Sequence, residues 1–472
     1  MGLSLASEEH GELLDGPPNG QVRRAPLCAG AILSRLVLGA LLVLGLNGAF
    51  AAAILLTDAL VPNAALKERV LHFIAAGEIT ADNWPRDFTG HTLDRYSDCT
   101  AVSTNLVGPA GRSAVELLRD ADVVGPLPDG REACAVLVQM ANGAPLPVLN
   151  YFRYWHGYQI LTKPLLLLVD LTTLRTTSGI LYLVALAAFF VVTATGRHAL
   201  FEGAYLALGF TLLTGAENPN GVMVHNLALL ATFAGGILLH RVARRASPSR
   251  LFFAALVIAA GIGFIDENYV PPLAAMVLVL ASISSRRQAG CESPRVLGET
   301  FAVVLFAWAA GYLGTMLLRV GLSALLLPDP WAGAKDFLVQ LLFRMGGEVP
   351  WETHGVFAPI LRNARYVVMN PVLPIFLIGT ATVVAARLAA GWRFVQRRSA
   401  SYYLLIAVLP LFWYMTFRNY SIIHAYFMYR WAAFSVVCGV GGLLTSLQPD
   451  RAAVAAPRLA GLTRPAVIDA EE

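Results

Sequence analysis

The chain has 472 residues, 56% of them hydrophobic and only 14% charged, well below the roughly 25% charged content of soluble domains. A mean hydropathy of +0.60 excludes a disordered or collagen-like chain. The net charge of +4, from 35 basic and 31 acidic residues, is too weak an excess to point to nucleic acid, so a lipid bilayer is the partner this composition implies.

A membrane-spanning helix needs about 20 mostly apolar residues. Ten runs qualify: 31–56, 176–195, 198–214, 222–240, 250–265, 271–285, 296–318, 371–389, 402–417 and 431–447. The third, fifth and sixth are short or close to a neighbour, which leaves nine or eleven as alternatives. The expected fold class is therefore an all-α polytopic membrane protein. Lys and Arg in short loops resist translocation. One set of loops holds Arg197, then Arg241, Arg244, Arg245 and Arg250, then Arg286, Arg287 and Arg295, then Arg387, Arg393, Arg397 and Arg398. The alternate loops, around Glu217 and around Asp266 and Glu267, hold acids and no basic residue. The first set is expected inside, as is the tail 1–30, which carries Arg23 and Arg24. That tail is too long and polar, and the run after it too extended, for a cleaved signal peptide. Ten spans then return the tail 448–472 to the inside.

Three segments fall outside on this topology: 57–175 between the first span and the bundle 176–318, then 319–370, and the loop 418–430 within 371–447. The first segment reads as several short helices, including 64–76, with a turn at 125–130. Its run LDRYSDC puts Asp94 and Asp98 four residues apart, on one face if helical. Paired carboxylates suit general-base work on a hydroxyl or a divalent cation beside a phosphate, and equally a solvated face or an ion pair with Arg95 or Arg153. Asp58, where the first span reaches the outer surface, is a second candidate. In the same segment the two cysteines Cys99 and Cys134 can form a disulfide or remain buried thiols; Cys28, Cys291 and Cys438 lie elsewhere. RYWHGYQ combines Arg153, Trp155, His156 and Tyr158. It fits a phosphate clamp with aromatic platforms for a sugar or isoprenoid, or an interfacial aromatic belt.

In the second segment Asp336, Gln340 and Arg344 recur every four residues, as in an amphipathic interfacial helix. The loop that follows gathers Glu348, Trp351, Glu352 and His354, candidates for acceptor or sugar contact. Its E-x-H offers only two ligands where zinc wants three or four, so no metal site is expected and a divalent cation stays only an option. The last segment places Arg418, Asn419, His424, Tyr429 and Arg430 between apolar runs. Arginines on the outer side oppose the charge bias and need a reason, either an anionic ligand or snorkelling to headgroups. His424 and Arg430 would not share a face of one continuous helix, so a break is needed to bring them together. Glu217, Asn218, His225, Asp266, Glu267 and Asn268 sit at short outer loops, where simple solvation is the plainer reading.

The layout of a first span, a long outer segment with acids and interfacial helices, and many later spans resembles the GT-C class of integral membrane glycosyltransferases. LDRYSDC, RYWHGYQILTKPLLLL and NYSIIHAYFMYR are also similar to motifs in bacterial multi-span proteins of cell-surface polysaccharide pathways. The resemblance implies transfer of a sugar from a polyprenyl-phosphate-linked donor to a glycan or glycolipid acceptor at the outer face of a bacterial inner membrane. It implies Asp94 or Asp98 as base, with Arg153, His156, His424 and Arg430 on the donor phosphate, and Trp155, Tyr158, Trp351, Glu352 and His354 on sugar or acceptor. That class usually places its acid close after the first span, whereas Asp94 comes well later, which keeps Asp58 open as the base. No phosphate-binding G-x-x-x-x-G-K-[ST] loop or dinucleotide fingerprint is present, as expected for a lipid-phosphate donor and equally for a transporter. A flippase of a lipid-linked sugar, an outer-face acyltransferase or polysaccharide ligase, and a non-catalytic assembly subunit are the rival expectations.

Overall fold

The computed structural model describes residues 29–85, 93–107, 111–126, 132–143, 146–194, 198–215, 221–346, 348–349, 352–395 and 398–449. It is predominantly helical, and every one of the apolar runs read from the sequence folds as helix. The chain opens with α1 (Ala29–Leu60), followed by the short helices α2 (Asn63–Ala75), α3 (Arg95–Ser103), α4 (Ala114–Arg119), α5 (Ala133–Val138) and α6 (Gln159–Leu168). The bundle continues with α7 (Leu171–Thr193), α8 (Ala199–Thr214), α9 (Met223–Ala243), α10 (Pro248–Ile265) and α11 (Pro271–Gln288). Next come α12 (Pro294–Trp308) and α13 (Gly314–Leu326), then α14 (Pro330–Met345) and α15 (Ala358–Val368). The remainder is α16 (Val372–Ala389), α17 (Arg398–Thr416), α18 (Arg418–Ile423) and α19 (Ala425–Ser446).

Among the described residues seven helical stretches are long and apolar enough to cross a membrane: Ser34–Leu60, α7, α9, α10, the continuous Pro294–Leu326 rod, α16 and α19. The other three apolar runs are α8, α17 and α11. The first two are short apolar helices by the same measure. Helix α11 carries Ser282, Ser284 and Ser285 before Arg286 and Arg287, which lowers its apolar character. It is nevertheless buried almost all round, as expected of a helix in the middle of a bundle, where polar side chains bond to neighbours rather than to lipid. Ser285 Oγ, for example, donates to the His240 carbonyl at 2.6 Å.

The loops sort to two ends of this bundle. At one end Arg387 of α16 donates to Glu202 of α8 at 2.8 Å. Gln288 donates to the Val192 carbonyl at 2.7 Å, and the short strands Trp392–Phe394 and Leu447–Pro449 pair antiparallel. At the other end sit α2 to α6, with the short antiparallel pair Asp122–Val124 and Val148–Asn150. A Cys99–Cys134 disulfide joins α3 to α5 there, so the pair left open by the sequence is bonded.

The Pro294–Leu326 rod is interrupted by one π-helical stretch, Ala309–Leu313. Such an inserted turn shifts the side chains that follow it, and here it presents Tyr312 to the Asp266 carboxylate. Gly311 within it lies so close to α10 that a Cβ would collide with the Leu256 carbonyl. Helix α14 is capped by Asp329, whose carboxylate accepts from the Trp331 and Ala332 amides at 3.0 and 3.2 Å. Its Trp331, Leu338 and Leu342 are exposed, while Asp336 and Arg344 turn toward the protein. The helix is thus amphipathic, as the four-residue spacing leads one to expect.

Candidate functional site

The end of the bundle that carries the disulfide gathers the unusual polar residues into one cluster. Its centre is Asp94, which ends a non-helical approach and caps α3. The Asp94 carboxylate accepts from the Ser97 amide at 3.0 Å and the Ser97 hydroxyl at 2.5 Å. Its Oδ2 lies 3.4 Å from His225 Nε2 at the start of α9. Both side chains are 2% exposed. Burial raises the Asp94 pKa, but contact with His225 and the two Ser97 donors outweighs it and holds the carboxyl below its ordinary value. His225 Nδ1 in turn lies 3.3 Å from an Arg430 nitrogen on α19. His225 Nε2 and Arg430 Nε are buried with no well-aligned hydrogen-bond partner. Buried polar atoms of this kind call for an explanation, and a ligand-binding or catalytic role supplies one.

His424 joins the same cluster because the chain breaks there: it is the non-helical residue between α18 and α19. This is the break that the sequence required, and the former loop 418–430 is therefore helix on both sides of one residue. The His424 ring packs against Tyr420 at 4.4 Å and Phe427 at 5.2 Å, and Phe427 packs against His225 at 5.2 Å. Burial pushes the His424 imidazole down to about 4. Arg344 of α14 stands over the Tyr420 ring at 5.0 Å and the Tyr154 ring at 5.7 Å, with no carboxylate in salt-bridge range among the described residues. One carboxylate, two histidines and two guanidinium groups thus meet from four elements, α3, α9, α14 and α19.

The other predicted residues have different neighbours. Asp98 is fully buried and taken up by Arg175, whose Nε donates at 2.8 Å, with Arg95 at 3.5 Å. Asp94 and Asp98 do not act as one pair, because Asp94 caps the helix from outside while Asp98 lies within it. Asp58 is bound to the buried Lys163. Arg153 donates to Asp336 at 3.0 Å, which ties α14 to the aromatic segment. Residues 154–158 face the protein interior rather than a lipid boundary: Tyr154, Trp155, His156 and Tyr158 are buried. Trp155 Nε1 donates to Asn47 at 2.9 Å. His156 adopts a left-handed φ of 54°, and its Nδ1 meets Glu267 while its Nε2 reaches the Tyr151 carbonyl at 2.9 Å. The following Gly157 amide donates to the Phe264 carbonyl at 2.9 Å, so close that a Cβ would collide with it. His354 is buried; Trp351 and the Glu352 side chain, like Glu217, Asn218, Cys28 and the turn at 127–130, lie outside the described residues.

The short loop 266–269 departs most from expectation, since Asp266, Glu267 and Asn268 are buried rather than solvated. Glu267 accepts from Tyr158 at 2.7 Å and Tyr269 at 3.2 Å as well as from His156. Burial raises its pKa, yet these donors more than offset that and hold it low. Asp266 accepts from the Tyr269 and Val270 amides and from Tyr312, but burial dominates and pushes it up to about 6. The Tyr269 ring lies 4.1 Å from that of His225, so this loop forms one wall of the cluster.

Sequence reasoning passed over Arg344 as a site residue and gave His225 only a loop role. The available signals were an arginine continuing the polar stripe of α14 and a His-Asn pair opening an otherwise apolar span. Among the described residues no three His, Cys, Asp or Glu side chains gather as a metal site. Compared with known proteins, the chain matches no family model, no curated protein and no solved structure.

Proposed function

We propose that this protein is an integral membrane glycosyltransferase of the GT-C type, using a polyprenyl-phosphate-linked sugar at the outer face of a bacterial inner membrane. The supporting observation is the buried cluster in which Asp94 meets His225 while Arg430, Arg344 and His424 stand nearby. In this reading the ionised Asp94 takes the proton of an acceptor hydroxyl, with His225 Nε2 orienting that hydroxyl. The hydroxyl oxygen bonds to the anomeric carbon as the bond from that carbon to the phosphate oxygen breaks. The bonding pair leaves with the lipid phosphate, whose charge meets Arg430 and Arg344. Positioning and charge stabilisation are enough here, because the donor brings its own leaving group.

The outward orientation rests on the sorted arginines and on the Cys99–Cys134 disulfide, which forms in oxidising compartments. Counting α8, α11 and α17 with the seven longer stretches gives ten crossings and both termini inside. The test is mass analysis of cell-surface glycans and lipid-linked precursors with wild type, with Asp94→Asn and without the protein. Loss of one sugar residue in both deficient strains supports transfer. An unchanged precursor accumulating on the inner face, or full activity of Asp94→Asn, overturns it.

A further inference from the structure

Outside that cluster, helix α15 lines a cavity of about 610 Å³, a size that accommodates small organic ligands. Its described lining is Leu361, Arg362, Arg365, Tyr366 and Met369. Arg362 and Arg365 are three residues apart and so stand side by side on one helical face. Both are exposed, and neither guanidinium makes a hydrogen bond or salt bridge to a described residue. Two planar guanidinium forks side by side match the oxygens of a phosphate. Leu361 and Met369, which border the same cavity, are 67% and 69% exposed, a degree of apolar exposure suited to lipid rather than water.

The floor of the cavity is fixed. Asn363, on the opposite face of α15, donates to the Ser421 carbonyl at 2.9 Å. Tyr366 stacks on Tyr429 at 5.4 Å, and the Tyr429 hydroxyl donates to the Thr214 carbonyl at 2.7 Å. The arginines are thus carried on a helix pinned to α18, α19 and the end of α8, so little order has to be gained on binding.

We propose that this cavity binds the phosphate headgroup of a membrane amphiphile, held by Arg362 and Arg365, with its chain lying over Leu361 and Met369. The inference needs only the bilayer setting and stands whether or not the chain transfers a sugar. The combination selects an amphiphile over a free anion because charge and exposed apolar surface border one cavity.

The test is native mass spectrometry of the full-length protein in detergent, titrated separately with phosphatidylglycerol, a polyprenyl monophosphate, diacylglycerol and inorganic phosphate. Tight binding of phosphatidylglycerol or the polyprenyl monophosphate, with weak binding of diacylglycerol, is expected. Whichever of the two binds more tightly identifies the source as bulk lipid or as carrier lipid. The Arg362→Ala/Arg365→Ala variant should bind it about tenfold more weakly, a loss of one charge-assisted contact or more. Arg365→Gln alone should weaken it several-fold, which keeps the test open if the double variant folds poorly. Equal binding by wild type and both variants overturns the proposal. So does diacylglycerol or inorganic phosphate binding as tightly as the lipids, or loss of lipid in Arg430→Ala with none in the α15 variants.

Discussion

Asp94 Oδ2 and His225 Nε2 lie 3.4 Å apart, one on the cap of the short helix α3 and the other in the first turn of the long apolar helix α9. The two acids of LDRYSDC therefore divide their work: Asp94 faces His225, and Asp98 is committed to Arg175 at 2.8 Å.

Replacement of each acid by its amide should separate those roles. Asn caps helices about as well as Asp, so Asp94→Asn should keep the melting midpoint near wild type while product formation falls by about a hundredfold or more. Asp98→Asn leaves the buried Arg175 without its counter-ion, which costs ~3–5 kcal/mol. Its midpoint in detergent should drop by many degrees, and yield should fall with it. Equal melting curves for the two variants would contradict this division.

The Asp58–Lys163 pair is almost wholly buried, with side chains 7% and 4% exposed. It links the C-terminal end of α1 to α6. Asp58→Asn should destabilise by ~3–5 kcal/mol, whereas an apolar pair, Asp58→Leu with Lys163→Met, should come close to wild type, since it removes both desolvated charges at once. Thermal unfolding of the three proteins checks this. A milder effect of the single change than of the double one would refute it.

Acid should expose an opposition between two groups. His424 has its pKa pushed down to about 4 by burial. The unfolded chain therefore binds this proton from about pH 6.5 downward and the native state does not, so stability is lost as pH falls from about 6.5 to 4. Asp266 is pushed up to about 6 by burial. Its native state binds the proton first, so stability is gained as pH falls from about 6 to 4. Each slope is about 1.4 kcal/mol per pH unit and the signs are opposite, so wild type should be nearly flat in this window with respect to these two groups. Asp266→Asn should then lose stability relative to wild type on acidification across it. A pH-independent difference between the two proteins would count against the assignment.

The disulfide closes a sequence separation of 35 residues. Cys99→Ser with Cys134→Ser should lower stability by ~3–4 kcal/mol, measured by melting with and without reductant, which should affect wild type only. In intact cells a membrane-impermeant thiol reagent should leave Cys291 unlabelled. Labelling there would reverse the orientation.

Much of the architecture was legible in the chain itself. Twenty-residue apolar runs leave helix as the only way to satisfy backbone groups in lipid, and every such run is helical. The stripe of Asp336, Gln340 and Arg344 likewise pointed to the amphipathic α14, because period 3.6 is a local property. What the chain alone left open was which charge meets which. Arg153 goes to Asp336, Asp98 to Arg175, Asp58 to Lys163 and Glu267 to His156, each partner distant in sequence. A buried ion is costly to leave unpaired, so only the packing of α3, α9, α14 and α19 could decide which groups remained free to form the cluster around Asp94. The loop 266–269 shows the same rule in reverse: its acids look solvated in the sequence, yet they are buried, and two of the tyrosines that bond them, Tyr158 and Tyr312, come from other elements of the fold.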